Sequence, residues 1–501
     1  MKLFWTFISL CFLAAVADAA TNNAATTAYS DVLAAYNLCN PGDTLAVPSG
    51  SSTWASTLTV SINIIFQGAG TNSTFITANA DSTPILNFQP SSGFGEVTGF
   101  DFNGGGHQSY GALNLSGLVR VDHCVFTNFM GHVIDATGDH GVIDHCSFTN
   151  YNLGVEVRDS NWGGHSFGDG SWADNAYLGT TNALYIESCN FGNTVQTGAV
   201  DSVDGAHWVF RYNTLVGDIL DSHGTETTQR ERGSRAIEIY NNNLTGGAGF
   251  AEMFEMRSGT GVIFSNTVNS YSSLVSLKTW MLNGIYIPWT ATTGVQYTNG
   301  WYLYGSSNVE SGTVTGGTAN QTGTLTDTSK SWTAHQWQGY IIVNLTTGRG
   351  AQIFDNTATT LTYNANNFGV FNVTNNNGNT FQINSILAVL DQAGRGKGDL
   401  LGDHSSGSQP YDTVTGTTNW PSEASEPIYV WANTLNGTAN NSIGVSTASA
   451  GLQVLNTDFF SGTAMPGYAP LPFPHPLVQA PATLAVAWTP PGRLARVSYA
   501  H

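Results

Sequence analysis

The chain has 501 residues, of which 10% are charged and 41% are hydrophobic, and its formal net charge is −19. Apolar and aromatic residues are too frequent for a disordered chain, and the acidic balance excludes a nucleic-acid-binding protein, which needs a basic face. Its 57 glycines, together with abundant Asn, Thr and Ser, are typical of an all-β protein with many turns.

Residues 1–20 have the layout of a secretory signal peptide. Lys2 precedes an apolar run from Leu3 to Val16, and small residues follow it. The run is too short to cross a bilayer comfortably, and no other stretch is apolar enough to do so. We therefore expect a secreted protein, extracellular or periplasmic, without a membrane span.

Residues 28–36 predict a short helix with Ser30 as its N-cap. The sequence GDTLAVPSG follows at 42–50 and reads as a strand and a turn. This order resembles the opening of right-handed parallel β-helix proteins of the pectate-lyase-like superfamily, in which a helix covers the first turn. Such a cap is physically needed, because an exposed sheet end would pair with other chains.

A short phrase then recurs: an alternating strand, one small polar residue, and an apolar residue two positions later. Most copies lie about 22–29 residues apart, which indicates a solenoid whose turns stack on one another. The small polar residues are Cys124, Cys146, Cys189, Asn213, Asn242, Asn266, Asn433 and Asp458. We expect the cysteines to form an interior ladder of free thiols; a disulfide, or a zinc site with His123 and His145, is the alternative.

The phrases VDHC at 121–124 and IDHC at 143–146 also resemble the coils of pectate lyases. The stretch 223–242, with LDQAGRG at 390–396, resembles an uncharacterised secreted bacterial β-helix family. These resemblances imply the fold and the location but no reaction. The predicted fold is therefore all-β, a right-handed parallel β-helix with an N-terminal capping helix and a small inserted module.

The composition changes between residues 308 and 386, where short strands alternate with Thr and Asn turns. We interpret this stretch as a small β module inserted into one coil, because the solenoid phrase returns at 429. The β-helix would then occupy 21–307 and 387–470. Residues 471–501 are Pro-rich, and we expect this tail to run extended along the surface.

A second strand precedes several of the phrases, with outward residues that stack from coil to coil. We placed these strands at 112–116, 132–136, 175–179, 199–203 and 253–257. Carboxylate oxygens are the ligands that Ca²⁺ prefers. The sequence therefore predicts calcium as a cofactor, held by Asp135, Asp201 and Glu255.

The richest polar stretch is 218–238, where one coil is longer than its neighbours. We predict catalytic roles for Asp201, His223, Glu226, Arg232 and Arg235. The predicted substrate-binding residues are Trp162, Trp172, Asp204, Asp221, Arg230, Arg257 and Arg395. The alternative for the charged stretch is a solvated, salt-bridged loop. The alternative for the loop that carries Trp162 and Trp172 is a hydrophobic cover over a groove of the solenoid.

Three functions fit this pattern. In β-elimination, which we slightly favour, a base removes the proton beside a uronate carboxylate, and a cation or an arginine stabilises the enolate. In hydrolysis, two carboxylates flank the bond, although the motif series of polygalacturonases is not present in order. A non-catalytic, glycan-binding surface or adhesion protein is the third. In each case the expected partner is a polysaccharide and the expected protein is a monomer.

Overall fold

The computed structural model of the protein describes residues 19–81, 83–107, 111–138, 140–159, 176–193, 197–224, 233–278, 308–318, 322–338, 340–346, 349–364, 377–384, 393–394, 426–446 and 453–479. Nearly all of the regular structure in these residues is β-strand, and the strands coil into a right-handed parallel β-helix. The predicted fold is confirmed. The proposed signal peptide at 1–20 lies almost wholly outside the described residues.

Each coil gives strands to three parallel sheets. The first sheet contains Thr21–Asn23, Thr44–Ala46, Ile65–Gln67, Phe94–Thr98, Leu118–Asp122, Gly141–Asp144, Leu184–Glu187, His207–Arg211, Ala236–Tyr240, Thr260–Phe264, Ile428–Trp431 and Phe459–Ser461. The second contains Gly50–Trp54, Thr74–Ala78, Asp101–Asn103, Asn190–Gly192, Thr214–Val216, Asn243–Thr245, Thr267–Asn269 and Thr434–Leu435, with Thr438–Ala439 antiparallel to the last.

The third sheet contains Leu58–Val60, Leu86–Phe88, Leu113–Leu115, Val200–Val203, Leu220–Ser222, Glu252–Met256, Ser273–Leu277 and Ile443–Val445. Two long strands, Val125–Thr137 and Ser147–Arg158, run through both the second and the third sheet. They join the two sheets, and the register of their pairing shifts once, between Phe129 and His132.

Ladders of like residues fill the interior. Phenylalanine rings at 102, 126, 148 and 191 stack with centroids 4.4–5.5 Å apart. At the corner after the first sheet, the three ladder cysteines, Cys124, Cys146 and Cys189, are buried and free, as predicted. Further along, asparagines take over the same position. Each donates Nδ2–H to a carbonyl of the preceding coil and accepts a backbone N–H there through Oδ1.

The N-terminal helix spans Tyr29–Tyr36 and packs on the strands of the first coil, with Val32 and Ala35 in the main core. The predicted N-cap was wrong. Ser30 lies inside the first turn, and the residue at the cap is Ala28, whose backbone N–H is bound by Thr26 Oγ1 at 3.0 Å. Thr26 also donates to Asp31 Oδ2, so a side chain two residues before the cap fixes the helix start.

The outer face of the first sheet is buried beneath the C-terminal segment 465–479, which includes the short helix Pro476–Gln479. Apolar residues of this segment pack on outward aromatic residues of the sheet, such as Tyr185 and Tyr240. Arg211, with no solvent exposure, pairs with Glu187 and donates to the carbonyl oxygens of Leu471 and Pro472. The outward residues from Val142 to Val262 are therefore shielded from solvent.

The inserted module is a sheet of seven antiparallel strands. They are Asn308–Thr313, Gly316–Thr318, Thr322–Thr326, Ile341–Asn344, Arg349–Asn356, Thr360–Asn364 and Thr380–Asn384. After the module the chain returns at Ala393–Gly394, where Gly394 N–H donates to Gly259 O and Glu426 N–H donates to Gly394 O. No helix within the described ranges is both long and apolar enough to cross a membrane.

Candidate functional site

The outward face of the third sheet carries a column of carboxylates, which we call the acidic column. It consists of Asp135, Glu156, Asp201, Asp221 and Glu255, one on each successive coil. Adjacent parallel strands lie about 4.8 Å apart, so the three inner carboxylates, Glu156, Asp201 and Asp221, each have another on either side. Cations or protons must offset this repulsion.

A second set of side chains lies two residues further along the same strands. This basic column contains Arg158, His223, Arg257 and Lys278. Arg257 Nη2 is 2.9 Å from Asp221 Oδ2, and Lys278 Nζ contacts both Glu252 and Glu255. The two columns together place acids and bases side by side along the axis of the solenoid.

The predicted residues Asp201 and His223 are brought together. His223 Nδ1 lies 2.8 Å from Asp201 Oδ1, and both side chains are partly exposed. Burial alone would lower the pKa of His223, but the hydrogen bond and the charge of Asp201 raise it above its ordinary value. His223 therefore keeps its proton to higher pH than an isolated imidazole.

Asp221 lies one coil further on, and its pKa is also raised, which for a carboxyl group extends the pH range of the neutral form. Burial, followed by the charges of Asp201 and Glu255, raises its pKa to about 6, although Arg257 and His223 oppose the shift. Groups with shifted pKa values in a partly exposed cluster are the usual material of acid–base catalysis. Asp221 and His223 are two positions apart on one strand, and their side chains therefore lie on the same face.

Earlier coils of the same sheet form a pocket of about 350 Å³, lined by Gln89, Asn114, His132, Asp135, Thr137 and Arg158. His132 Nδ1 lies 2.8 Å from Asp135 Oδ1 and 2.6 Å from Glu156 Oε2. Burial would lower the pKa of His132, but these two carboxylates raise it to about 10. Arg158 contacts the other oxygen of Glu156 and lies 3.4 Å from Asp204 Oδ2.

The predicted calcium ligands are not neighbours. Glu156 lies between Asp135 and Asp201, and Asp221 lies between Asp201 and Glu255. Residues on alternate strands are about 9.6 Å apart at the usual strand spacing, whereas Ca²⁺ binds its ligands at roughly 2.3–2.6 Å. One ion cannot contact all three, so this set was wrong.

Arg235 was also wrongly placed. Its side chain has no solvent exposure, and its Nη1 lies 2.6 Å from Glu426 Oε2. It directly precedes the strand Ala236–Tyr240 of the first sheet, away from the acidic column. This arginine links its coil, which precedes the inserted module in sequence, to Glu426, close to the point where the chain returns.

Two of the predicted substrate-binding residues, Asp204 and Arg257, lie in different surroundings. Asp204 is almost fully buried and contacts Arg158, whereas Arg257 is on the same face as Asp221. Six of the predicted site residues lie outside the described residues, namely Trp162, Trp172, Glu226, Arg230, Arg232 and Arg395.

Sequence reasoning missed Glu156 and His132. Glu156 was missed because the strand was predicted at 175–179, whereas the described part of that stretch is turn and the real strand is Ser147–Arg158. His132 was missed because simple alternation places residues 132 and 135 on opposite faces. In the structure Val133 and Ile134 are both buried, so the alternation breaks between them, just after a register shift between Phe129 and His132, and His132 lies on the same side as Asp135. Such bulges often lie beside functional sites, but the sequence gives no clear sign of this one.

No protein-family model and no curated protein sequence matches the chain. Among solved structures, Geobacillus virus E2 ORF18 is 15% identical, with 74% of this chain and 77% of that chain aligned at a TM-score of 0.38. The PL6 family alginate lyase AlyGC is 13% identical, and the alignment covers 51% of this chain and only 40% of the lyase at a TM-score of 0.35. The A-module of the Azotobacter vinelandii mannuronan C-5 epimerase AlgE6 is 14% identical over 49% of this chain and 68% of that module, with a TM-score of 0.35. The description of the fold rests on the strand pairing given above.

Proposed function

We propose that the protein is a secreted, monomeric enzyme that cleaves a uronate-containing polysaccharide by β-elimination. The observation that carries the proposal is the pairing of the acidic and basic columns on the third sheet. There, Asp201 holds His223, and Asp221 lies beside it with a raised pKa. The columns run along several coils, so the surface suits an extended chain of sugars better than a small molecule.

The order of the two pKa values supports elimination. Between pH 6 and the raised pKa of His223, Asp221 is ionised and His223 is protonated. This is the combination that elimination needs, a base and an acid on one face. Asp201 accepts the Nδ1 proton of His223 and leaves Nε2 to donate the other proton.

In the proposed reaction, the Asp221 carboxylate takes the proton from C5 of the uronate. The electrons of that C–H bond form the C4–C5 double bond, and the C4–O4 bond breaks. His223 Nε2 gives its proton to the departing oxygen. Arg158 and Arg257, as forked donors, would bind uronate carboxylates and stabilise the developing negative charge.

Hydrolysis is the second candidate, and the same observation favours it under different conditions. Below pH 6 Asp221 is protonated and could serve as the general acid, with Asp201 on the adjacent strand as the second carboxylate. The two reactions therefore predict opposite responses to pH. Elimination gains activity as pH rises through about 6, whereas hydrolysis loses it.

The test is incubation of the purified protein with a panel of acidic and neutral polysaccharides. Unsaturated ends that absorb in the ultraviolet indicate elimination, and reducing ends without that absorbance indicate hydrolysis. Binding without either product would favour the glycan-binding alternative. The Asp221→Asn and His223→Asn variants should lose at least about 100-fold in kcat.

A matched control is available in the inserted module. His335 Nδ1 lies 2.8 Å from Asp355 Oδ1, the same separation as between His223 and Asp201. The His335→Asn variant removes a histidine–aspartate pair of the same kind from outside the third sheet. It should keep full activity, and equal losses in both histidine variants would contradict the proposal.

A further inference from the structure

The pocket on the earlier coils of the third sheet contains a compact set of metal-binding atoms. Nδ1 of His132 and carboxylate oxygens of Asp135 and Glu156 all lie within 4.8 Å of one another. Glu156 is only 5% exposed. The Arg158 guanidinium contacts one oxygen of Glu156 and leaves the other directed at His132. An outer contact of this kind orients a ligand.

A fourth oxygen lies at the same place. Asn114 Oδ1 lines the pocket, is buried, and has no hydrogen-bond partner. Asn114 pairs with Asp135 on the next strand. A buried amide oxygen without a donor costs roughly 1–3 kcal/mol, and a cation would remove that cost.

Gly111 leaves the space in front of these oxygens open. A Cβ atom at this position would lie 2.9 Å from Asn114 Oδ1 and 3.5 Å from Asp135 Oδ2. The backbone of Gly111 also has a φ of +82°, which side chains other than glycine rarely adopt. The two oxygens therefore face a cradle that any larger residue would fill.

We infer that this pocket binds a divalent transition-metal ion, with Zn²⁺ as the best fit, through His132, Asp135 and Glu156, with Asn114 as a further oxygen donor. Imidazole nitrogen together with carboxylates suits zinc and its neighbours in the periodic table. Ca²⁺ takes oxygen ligands only, and His132 occupies the centre of this set. The site differs from the calcium set expected from the sequence, and it does not depend on the proposed reaction.

The experiment uses the full chain, treated with a chelator and then titrated with ZnCl₂, MnCl₂ or CaCl₂ in a calorimeter. We expect about one Zn²⁺ per chain and a higher melting temperature with Zn²⁺ than with Ca²⁺ at equal concentration. The His132→Gln and Glu156→Gln variants should each weaken Zn²⁺ binding at least tenfold. The His335→Asn variant controls for loss of an unrelated exposed histidine.

Asn114→Asp provides a second measurement that removes no ligand from the site. It adds a charge at the fourth donor position and should tighten Zn²⁺ binding. Zn²⁺ binding that is the same in the wild-type protein and in all these variants would overturn the proposal. So would Ca²⁺ binding that equals Zn²⁺ binding and survives His132→Gln, and so would the absence of any metal binding.

Discussion

Replacing Arg235 with methionine separates a structural role from a catalytic one. Its guanidinium is fully buried and lies 2.6 Å from Glu426 Oε2, across 191 residues of sequence. Removing one partner of a buried ion pair typically costs about 3–5 kcal/mol, because the other charge is left uncompensated. The Glu426 side chain keeps 17% exposure, and we therefore expect about 3 kcal/mol for Arg235→Met.

The assay is urea unfolding followed by fluorescence, with activity measured on the same samples. His107→Gln is the control, since it breaks a pair on the solenoid whose aspartate, Asp81, is 68% exposed. Exposed pairs contribute about 0–1 kcal/mol. Glu426→Gln should destabilise the protein much as Arg235→Met does, and the double variant should lose less than the sum, because the two groups form one unit.

Activity at saturating substrate should be unchanged in Arg235→Met wherever the protein remains folded. If Arg235→Met instead abolished turnover while its unfolding midpoint matched that of His107→Gln, the structural role argued here would be refuted. The arginine would then have to reach the substrate, as its position in the charged stretch first indicated.

The pH profile, the asparagine ladder and the cysteines provide the remaining predictions. Under elimination, kcat should rise through about pH 6 as Asp221 loses its proton, and it should fall at higher pH as His223, whose pKa is raised, loses its own. A single limb that falls through pH 6 would indicate hydrolysis. Asn242→Leu should lower the free energy of unfolding by about 2–4 kcal/mol, because it leaves a buried carbonyl and a buried N–H unpaired. Asn243→Ala, at an exposed position, should lower it by less than about 0.5 kcal/mol. Equal losses in denaturant unfolding would contradict the hydrogen-bonding role of the asparagine ladder. The three ladder thiols should react with a thiol reagent only after unfolding, and a disulfide among them in mass spectrometry would contradict their assignment.

The repeat made much of the fold predictable, because it is a local pattern with a physical cause. A residue at the corner after the first sheet must be small and able to bond to the neighbouring coil, and cysteine and asparagine both satisfy this. The alternation of the phrase agrees with the structure, in which Val121 lies in the core and the Asp122 carboxylate pairs with Arg120. It did not predict that the outward face would be covered, because the covering segment lies more than 300 residues further along the chain.

The site was harder to predict, because its members depend on register rather than on local pattern. Asp201 and His223 could be recognised as candidates, since both lie in or beside polar stretches of unusual coils. His132 could not, because the alternation breaks at the buried pair Val133 and Ile134, which brings His132 to the same side as Asp135. Arg235 was misread for a related reason: its partner, Glu426, lies beyond the inserted module, and sequence distance hides such pairs.

The three faces of the solenoid differ in what they leave available for function. The first sheet carries buried charges, but its outer face lies under the C-terminal segment. Among the described strands of the second sheet, the outward residues from Val125 onward are uncharged, mostly Thr, Asn and Ser. In the described part of the chain, the third sheet combines partly exposed charge, groups with shifted pKa values and a pocket. Acid–base chemistry needs all three together, and so the acidic column is where catalysis should be sought first.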